Sequence, residues 1–220
     1  MELKKRDCPI EIKILPQGAG WTDISWFVPE EMSEPLFLTA SYIGCNMSDF
    51  ARALYYLYPN QFEEGRAGDL IETTQSQIKA EFHFEEEPGG SDWIISRELS
   101  AEDNEDNNKF DFPVHVSIKL DKYCGGQFSR EFDWASKFDF DVKYNDLCYA
   151  VGKAMTDVMK QRGLYGYWYS VSDQIDVVHL LFLKAVALGN TEACKLMKYG
   201  QDEGEQTDFA KEMELLLFDM

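Results

Sequence analysis

The sequence predicts an α+β protein, in which a mostly antiparallel sheet is packed by a mid-chain helix and by a C-terminal helical hairpin or bundle. Several segments before residue 145 alternate apolar and polar residues, which is typical of half-buried strands. Short turn-forming segments join these strands, and such connections favour antiparallel pairing. From residue 173 onward the apolar spacing becomes helical, so strands come first and helices follow.

One domain is expected over residues 1–220. A chain of 220 residues with 45% apolar residues is large enough to bury one sizeable core. Within this domain we expect a sheet-rich part with two helices over residues 1–172. An all-helical closing segment is expected over residues 173–220.

The N-terminal third predicts two strands and one helix. The segment "PIEIKIL" alternates isoleucine with charged residues and predicts the first strand, and "PLFLTASYIG" predicts the second, which ends at Gly44. Helical spacing in "NMSDFARALYYLYPN" then predicts a short amphipathic helix, with Ser48 as its N-cap and Pro59 as its stop.

The middle of the chain predicts further strands. Two extended runs in "QIKAEFHFEEEPGGSDWIISREL" flank Pro88, Gly89 and Gly90, which predicts a hairpin. The polar segment 100–109 is expected to be a solvated loop. Beyond it, "FPVHVSIKLD", "QFSREFDWASKF" and "FDFDVKYN" are expected to extend the antiparallel sheet.

The last third is mainly helical. A buried stripe in "NDLCYAVGKAMTDVMKQRG" predicts a helix that is capped by Asn145 or Asp146 and ends at Gly163. The aromatic segment "LYGYWYSVS" predicts one more strand. Three helices follow in "DQIDVVHLLFLKAVALG", "TEACKLMKY" and "TDFAKEMELLLF". The first of them is apolar nearly all round, which places it between layers of structure.

Residues 180–200 resemble a single ankyrin-like or Sel1-like helical unit. Ala185, Gly189, Asn190 and Ala193 fall where such a unit places small residues and its turn. Repeat proteins need several stacked units, and no second copy occurs at a period of roughly 30 to 40 residues. The segment is therefore interpreted as a packed helical hairpin, with Gly189 supplying a positive φ at the helix end.

Composition restricts the class of partner and the compartment. The formal net charge of -19 produces a field that repels nucleic acids and anionic membranes, so neither is an expected partner. A basic protein partner is expected instead, and the alternative is that the acidity serves solubility alone. Five dispersed cysteines without a C-x-x-C pair, and no apolar segment of membrane-spanning length, predict a cytoplasmic protein without a disulfide framework.

The sequence predicts no cofactor and no metal. Neither a metalloprotease, a nucleophile-elbow, a P-loop nor a dinucleotide-binding motif occurs. His83 and His115 lie in predicted strands and His179 in a predicted helix, and we interpret all three as hydrogen-bonded structural histidines. The alternative is that the two strand histidines meet across the sheet and hold a metal ion.

Two features could support catalysis. Cys124 precedes two glycines, where a thiolate could be exposed at a turn. Asp139 and Asp141 are two residues apart on a predicted strand and share one face, at a separation of about 7 Å. Paired carboxylates at such a separation can act as an acid and a base, so a small hydrolase is the first alternative function.

Acidic residues are the strongest candidates for a functional surface. A non-catalytic, acidic protein-binding protein is the preferred expectation, and its specific form is an immunity-type inhibitor of a basic bacterial toxin such as a nuclease. A structural subunit of a homo-oligomer, joined through "EMELLLFDM", is the second alternative, and the oligomeric state is left open. The candidate partner-binding residues are Asp139, Asp141, Glu85, Glu86, Glu87, Glu102, Asp103, Glu105 and Asp106.

Overall fold

The α+β prediction is confirmed, with two antiparallel sheets and a set of helices packed against them. The structure is a computed structural model. Residues 7–18, 21–40, 46–58, 70–86, 89–99, 110–120, 137–171, 177–196 and 209–220 are described in it.

The first sheet is a three-stranded meander from the N-terminal part of the chain. Its strands are β1 (Glu11–Gly18), β2 (Trp21–Phe27) and β3 (Leu36–Ala40), in that spatial order. The register places Ile14 opposite Ile24 and Ile24 opposite Leu38, so these three buried residues share one face of the sheet. Strand β2 was not predicted from the sequence.

The second sheet is a five-stranded meander in which each strand neighbours the one before it in sequence, so every pairing is antiparallel. This pattern confirms the hairpin predicted around residues 88–90, whose strands run to Glu86 and begin again at Gly89. The predicted loop at 100–109 and nearly all of the predicted strand in "QFSREFDWASKF" lie outside the described residues. The strands are β4 (Ile71–Thr73), β5 (Gln77–Glu86), β6 (Gly89–Glu98), β7 (Pro113–Leu120) and β8 (Lys137–Lys143).

Helix α1 (Asn46–Leu57) lies between the two sheets in the sequence and packs against the second. It begins two residues before Ser48, so the predicted N-cap lies inside the first turn instead. Its C-terminal end is held by two side chains from elsewhere in the chain. Tyr144 Oη donates to the carbonyl oxygen of Leu54 at 2.5 Å, and Arg97 Nη1 donates to that of Leu57 at 3.4 Å. Both acceptors belong to the last turn, where carbonyls have no partner within the helix.

The helices that follow the second sheet include one correction to the prediction. The helix predicted to end at Gly163 does break there, since Gly163 has φ 71° and ψ 171°, but residues 164–171 continue as helix. The strand predicted for "LYGYWYSVS" is therefore wrong. Aromatic composition is a weak signal for a strand, because the preference depends on the packing that surrounds the side chains. The helices are α2 (Tyr144–Val171), α3 (Val177–Ala187), α4 (Thr191–Leu196) and α5 (Phe209–Leu217).

Aromatic side chains join the two sheets in one core. The ring of Trp26 from β2 lies 5.1 Å from that of Trp93 in β6 and 5.6 Å from that of Phe50 in α1. All three side chains are buried. Phe82 and Phe84 of β5 complete this cluster against Phe50 and Trp93. Through this cluster, strand β2 of the first sheet, strands β5 and β6 of the second sheet and helix α1 contact one another.

Helix α3 lies between other elements, as its uniformly apolar sequence predicts. Its residues from His179 to Ala187 are all buried, and it packs against α1, α2, α4 and α5. Gly189, which follows α3, has φ 66°, so the predicted turn glycine is confirmed. Within the described ranges, no helix is long and apolar enough to cross a membrane.

Candidate functional site

Asp139 and Asp141 project from the same face of β8, as the sequence predicts. His115 of β7 lies opposite Asp141 in the register and contacts both carboxylates. The distance from His115 Nδ1 to Asp141 Oδ1 is 3.0 Å, and that from His115 Nε2 to Asp139 Oδ1 is 3.6 Å. A hydrogen bond from Lys137, together with one from Ser117, lowers the pKa of Asp139 below its ordinary value.

Acidic and basic side chains alternate across the rest of this outer face. His83 Nδ1 lies 2.8 Å from Asp92 Oδ1, and Lys79 forms ion pairs with Glu72 and Glu81 at 2.8 and 2.7 Å. Hydrogen bonds to Glu72 and Glu81 raise the pKa of Lys79. This interspersed pattern is typical of the solvated side of an antiparallel sheet.

The two strand histidines are hydrogen-bonded, as predicted, but they are exposed and do not meet. His83 lies on β5 and His115 lies on β7, with β6 between them. In the described part of the chain, no three His, Cys, Asp or Glu side chains are arranged to hold a metal ion. The arrangement that would place a metal between His83 and His115 is therefore not present.

One end of β8 borders a groove of about 730 Å³ that has six carboxylates among its lining residues and that we name the acidic groove. Asp141 and Lys143 reach it from β8, and the start of α2, the start of β7, the residues before β1 and the turn after β2 form its other walls. The lining residues are Asp7, Pro9, Ile10, Val28, Glu30, Glu31, Asp111, Pro113, Asp141, Val142, Lys143 and Asp146.

Backbone hydrogen bonds hold the walls of the acidic groove together. The amide groups of Tyr144 and Asn145 both donate at 2.9 Å to carbonyls of the segment before β7, which joins the start of α2 to that segment. Cys8 Sγ donates to the carbonyl oxygen of Asp146 at 3.4 Å and so ties the N-terminal wall to the first turn of α2. In the turn after β2, the amide groups of Glu31 and Met32 both donate to the carbonyl oxygen of Val28.

The chemistry of the acidic groove suits a cationic side chain. Six carboxylates and one lysine, Lys143, are found among its described lining residues. Five of the carboxylates are exposed to solvent, and Asp146 is buried. Ile10, Val28 and Val142 supply apolar surface between the charges. Lysine and arginine combine an apolar stem with a charged head, so they match a groove of this composition.

The structure places the predicted site residues in different settings. Asp141 lines the acidic groove, and Asp139 lies beside it on the outer face of the sheet. Glu85 and Glu86 end β5, and their side chains are not described. The other predicted residues lie outside the described residues: Glu87, Glu102, Asp103, Glu105, Asp106 and the hydrolase candidate Cys124.

Sequence reasoning missed most of the acidic groove. Asp7, Glu30, Glu31, Asp111 and Asp146 come from four segments that are far apart in the sequence, and each segment contributes only one or two carboxylates. No local pattern marks these residues, because only the packing of both sheets against α2 brings them to one place.

Comparisons with known proteins give no relative for this chain. No family model, no curated protein and no solved structure matches it.

Proposed function

We propose that the protein is a non-catalytic binding protein whose acidic groove receives lysine or arginine side chains of a basic protein partner. The observation that carries the proposal is the convergence of six carboxylates and one lysine around a groove whose remaining lining residues are apolar. An immunity-type inhibitor of a cationic toxin, such as a nuclease, would use a surface of this kind. Such a partner presents basic side chains that otherwise contact nucleic acid phosphates.

The net charge of the whole chain supports the same partner class. A formal charge of -19 attracts a cationic protein over long range and accelerates encounter. The acidic groove then supplies the local contacts, in which an arginine can form two parallel hydrogen bonds to one carboxylate. We propose the cytoplasm as the compartment, since the five cysteines are dispersed along the sequence without a C-x-x-C pair.

A binding experiment with two charge-matched variants tests the proposal. The groove variant carries Glu30→Gln, Glu31→Gln and Asp141→Asn, all at exposed positions of the acidic groove. The control variant carries Glu72→Gln, Glu81→Gln and Asp92→Asn on the outer face of the five-stranded sheet. Each variant loses three negative charges. A difference in binding between the two variants therefore reports the position of the charges rather than the net charge.

Each immobilised protein is presented to a panel of small basic proteins that includes cationic nuclease domains. We expect wild type and control to retain a basic protein at about 0.1 M salt and to lose it near 1 M, where the screening length falls to about 3 Å. The groove variant should bind roughly 10- to 100-fold more weakly, at up to about 1 kcal/mol per lost charge pair.

Two results would contradict the proposal. One is that wild type retains no basic protein at low salt. The other is that the groove and control variants weaken binding equally, which would assign retention to net charge alone. When the retained protein is a nuclease, inhibition of its activity by wild type tests the immunity-type role directly.

A further inference from the structure

Strand β8 forms one edge of the five-stranded sheet. It pairs with β7 on one side, and no described strand pairs with it on the other. The amide of Tyr144 donates to the carbonyl oxygen of Phe112, and these two residues lie opposite each other when the β7–β8 register is extended by one position. They therefore form a hydrogen-bonded pair of the antiparallel ladder.

The alternation of the ladder then gives the direction of the backbone groups in β8. Hydrogen-bonded pairs recur at every second residue, so the amide and carbonyl groups of Phe138, Phe140 and Val142 point towards β7. The backbone groups of Asp139 and Asp141 point away from β7, towards the edge of the sheet. Each of these two exposed residues thus presents one donor and one acceptor to an incoming strand.

The side chains of β8 give this edge one acidic and one apolar face. Asp139 and Asp141 lie on the outer face, with side chains that are 39% and 73% exposed. Phe138 and Val142 point to the opposite face, where they pack against the core and are only partly buried. A strand beside β8 would therefore place one set of side chains against carboxylates and the alternate set against apolar surface.

The acidic groove adjoins this edge. Its lining includes three consecutive residues of β8, from Asp141 to Lys143. Successive side chains of a strand point to opposite faces, so a groove lined by consecutive residues meets the strand at its edge or its end. The exposed carboxylates of Glu30 and Glu31 line another wall of the groove. A chain segment that lies along β8 would therefore lead into the acidic groove.

A second copy of this chain is poorly matched to the edge. The outer face of β8 reads lysine, aspartate, aspartate, lysine between Lys137 and Lys143. Two copies in the fully overlapped antiparallel register would place lysine opposite lysine and aspartate opposite aspartate. Like charges directly opposite each other are destabilising, and two chains of charge -19 also repel each other. Charge complementarity therefore favours a basic partner.

We propose that an extended segment of the basic partner pairs with β8 as an additional antiparallel strand, with lysine or arginine opposite Asp139 and Asp141. This inference rests on the proposed function and specifies how the partner is bound. Backbone hydrogen bonds to the two aspartates hold the segment, and its alternate apolar side chains cover Phe138 and Val142. Strand addition of this kind gives affinity through the main chain and specificity through alternate side chains.

Three synthetic peptides separate strand addition from attraction by charge. The parent is the acetylated and amidated peptide Thr-Val-Lys-Val-Lys-Val-Thr, whose lysines fall opposite Asp139 and Asp141. The second peptide is N-methylated at both lysines, which removes the amide hydrogens that point towards β8. The third is N-methylated at two valines, whose amides point away from β8. All three peptides carry the same charge, so the third is the matched control.

Binding of each peptide to wild type is measured by NMR titration at about 0.05 M salt, where screening is weak. We expect the parent and the valine-methylated peptide to bind within about threefold of each other. The lysine-methylated peptide should bind about tenfold more weakly or worse, because it loses two hydrogen bonds to the edge. Equal binding of all three peptides, or no binding of the parent, would overturn the proposal.

Amide hydrogen exchange at single residues tests the edge itself. In wild type alone, the amides of Asp139 and Asp141 should exchange much faster than those of Phe140 and Val142, which donate to β7. Parent peptide at about ten times its Kd should slow exchange at the two aspartates roughly tenfold. Slow exchange at Asp139 and Asp141 in the free protein would refute strand addition. Protection that increases with protein concentration would assign the edge to a second copy and would refute it as well.

Two charge-reversal variants locate the binding on β8. Asp139→Lys places a lysine opposite a lysine of the parent peptide and should weaken its binding roughly 3- to 10-fold. Asp92→Lys makes the same change in charge on β6, two strands away from the edge, and should bind the peptide nearly as wild type does. Equal weakening by both variants would contradict the placement of the peptide beside Asp139.

The outcomes separate strand addition from the proposed function. If the acidic groove retains a basic protein but the three peptides bind alike, the proposed function stands and strand addition is overturned. If no basic protein is retained, the proposed function is contradicted, and discrimination among the peptides still supports strand addition at β8.

Discussion

Replacing Gly90 by alanine, which adds a single methyl group, should lower the free energy of unfolding. It lies in β6 opposite Glu85 of β5, in the ladder of the five-stranded sheet. A Cβ atom at this position would lie 2.6 Å from the carbonyl oxygen of Phe84, well inside the closest approach that such atoms normally make. It would also overlap the imidazole ring of His83. Alanine therefore requires movement of a backbone that belongs to a paired strand.

Gly90→Ala should lower the free energy of unfolding by about 1 to 3 kcal/mol, as other substitutions that add volume to a well-packed region do. The imidazole can move away because half of His83 is exposed, but the Phe84 carbonyl cannot move without disturbing β5. His83→Ala should therefore relieve only part of the cost. Urea denaturation measures the free energy of unfolding of the two single variants and of the double variant.

Gly152 provides the matched control for the same substitution. It lies within α2, and a Cβ atom there would lie 3.4 Å from Met220 Sδ and 3.6 Å from Leu183 Cβ, which are ordinary contacts. Gly152→Ala should stabilise the protein by about 0.5 to 1 kcal/mol, because glycine is a poor helix former. A Gly90→Ala variant within about 0.5 kcal/mol of wild type would refute the steric reasoning.

Two further predictions concern buried and exposed titrating groups. Tyr144→Phe removes the hydroxyl that donates to the Leu54 carbonyl and should cost about 1 to 3 kcal/mol in urea denaturation. Burial raises the pKa of Tyr144 in the folded state, so wild type should lose stability as the pH increases above about 10, and Tyr144→Phe should lose less over the same range. Lys137→Met should raise the pKa of Asp139 towards its ordinary value, which a carboxyl NMR titration detects; an unchanged pKa would contradict the contribution of Lys137.

The elements with a clear period were predictable from sequence because local pattern and burial agree in them. In β1, the buried positions Ile12 and Ile14 alternate with exposed charged residues, as the sequence indicates. In α2, the predicted stripe that includes Leu147, Val151 and Met155 is fully buried. Strand β1 packs one face against the core and presents the other to solvent, whereas no residue of α2 before Lys160 is exposed.

Strand β2 was missed because its alternation is blurred. Its buried face includes the polar residue Thr22, while aromatic residues, Trp21 and Phe27, lie on the opposite and partly exposed face. The strand predicted for residues 164–171 is wrong for a different reason. The aromatic composition of this segment favoured a strand, whereas the structure continues a helix there.

The candidate site was less predictable than the fold. Asp141 was identified because it stands beside Asp139 in an obvious pattern, whereas Glu30, Asp111 and Asp146 join it only through the three-dimensional arrangement. When carboxylates come from distant segments, their spacing in the sequence has no pattern that predicts a cluster. Of the residues predicted to bind a partner, Asp141 lines the acidic groove, and their role in binding stays a prediction.

The order of strands in the five-stranded sheet also indicates where the sequence of this protein can change during evolution. Strands β6, β7 and β8 are consecutive neighbours, so each of the segments 99–112 and 121–136 joins two adjacent strands. Doubling the length of a flexible connection costs only about 0.6 kcal/mol in closure entropy. Insertions and replacements in these two segments should therefore accumulate in descendants of this chain while the meander itself persists.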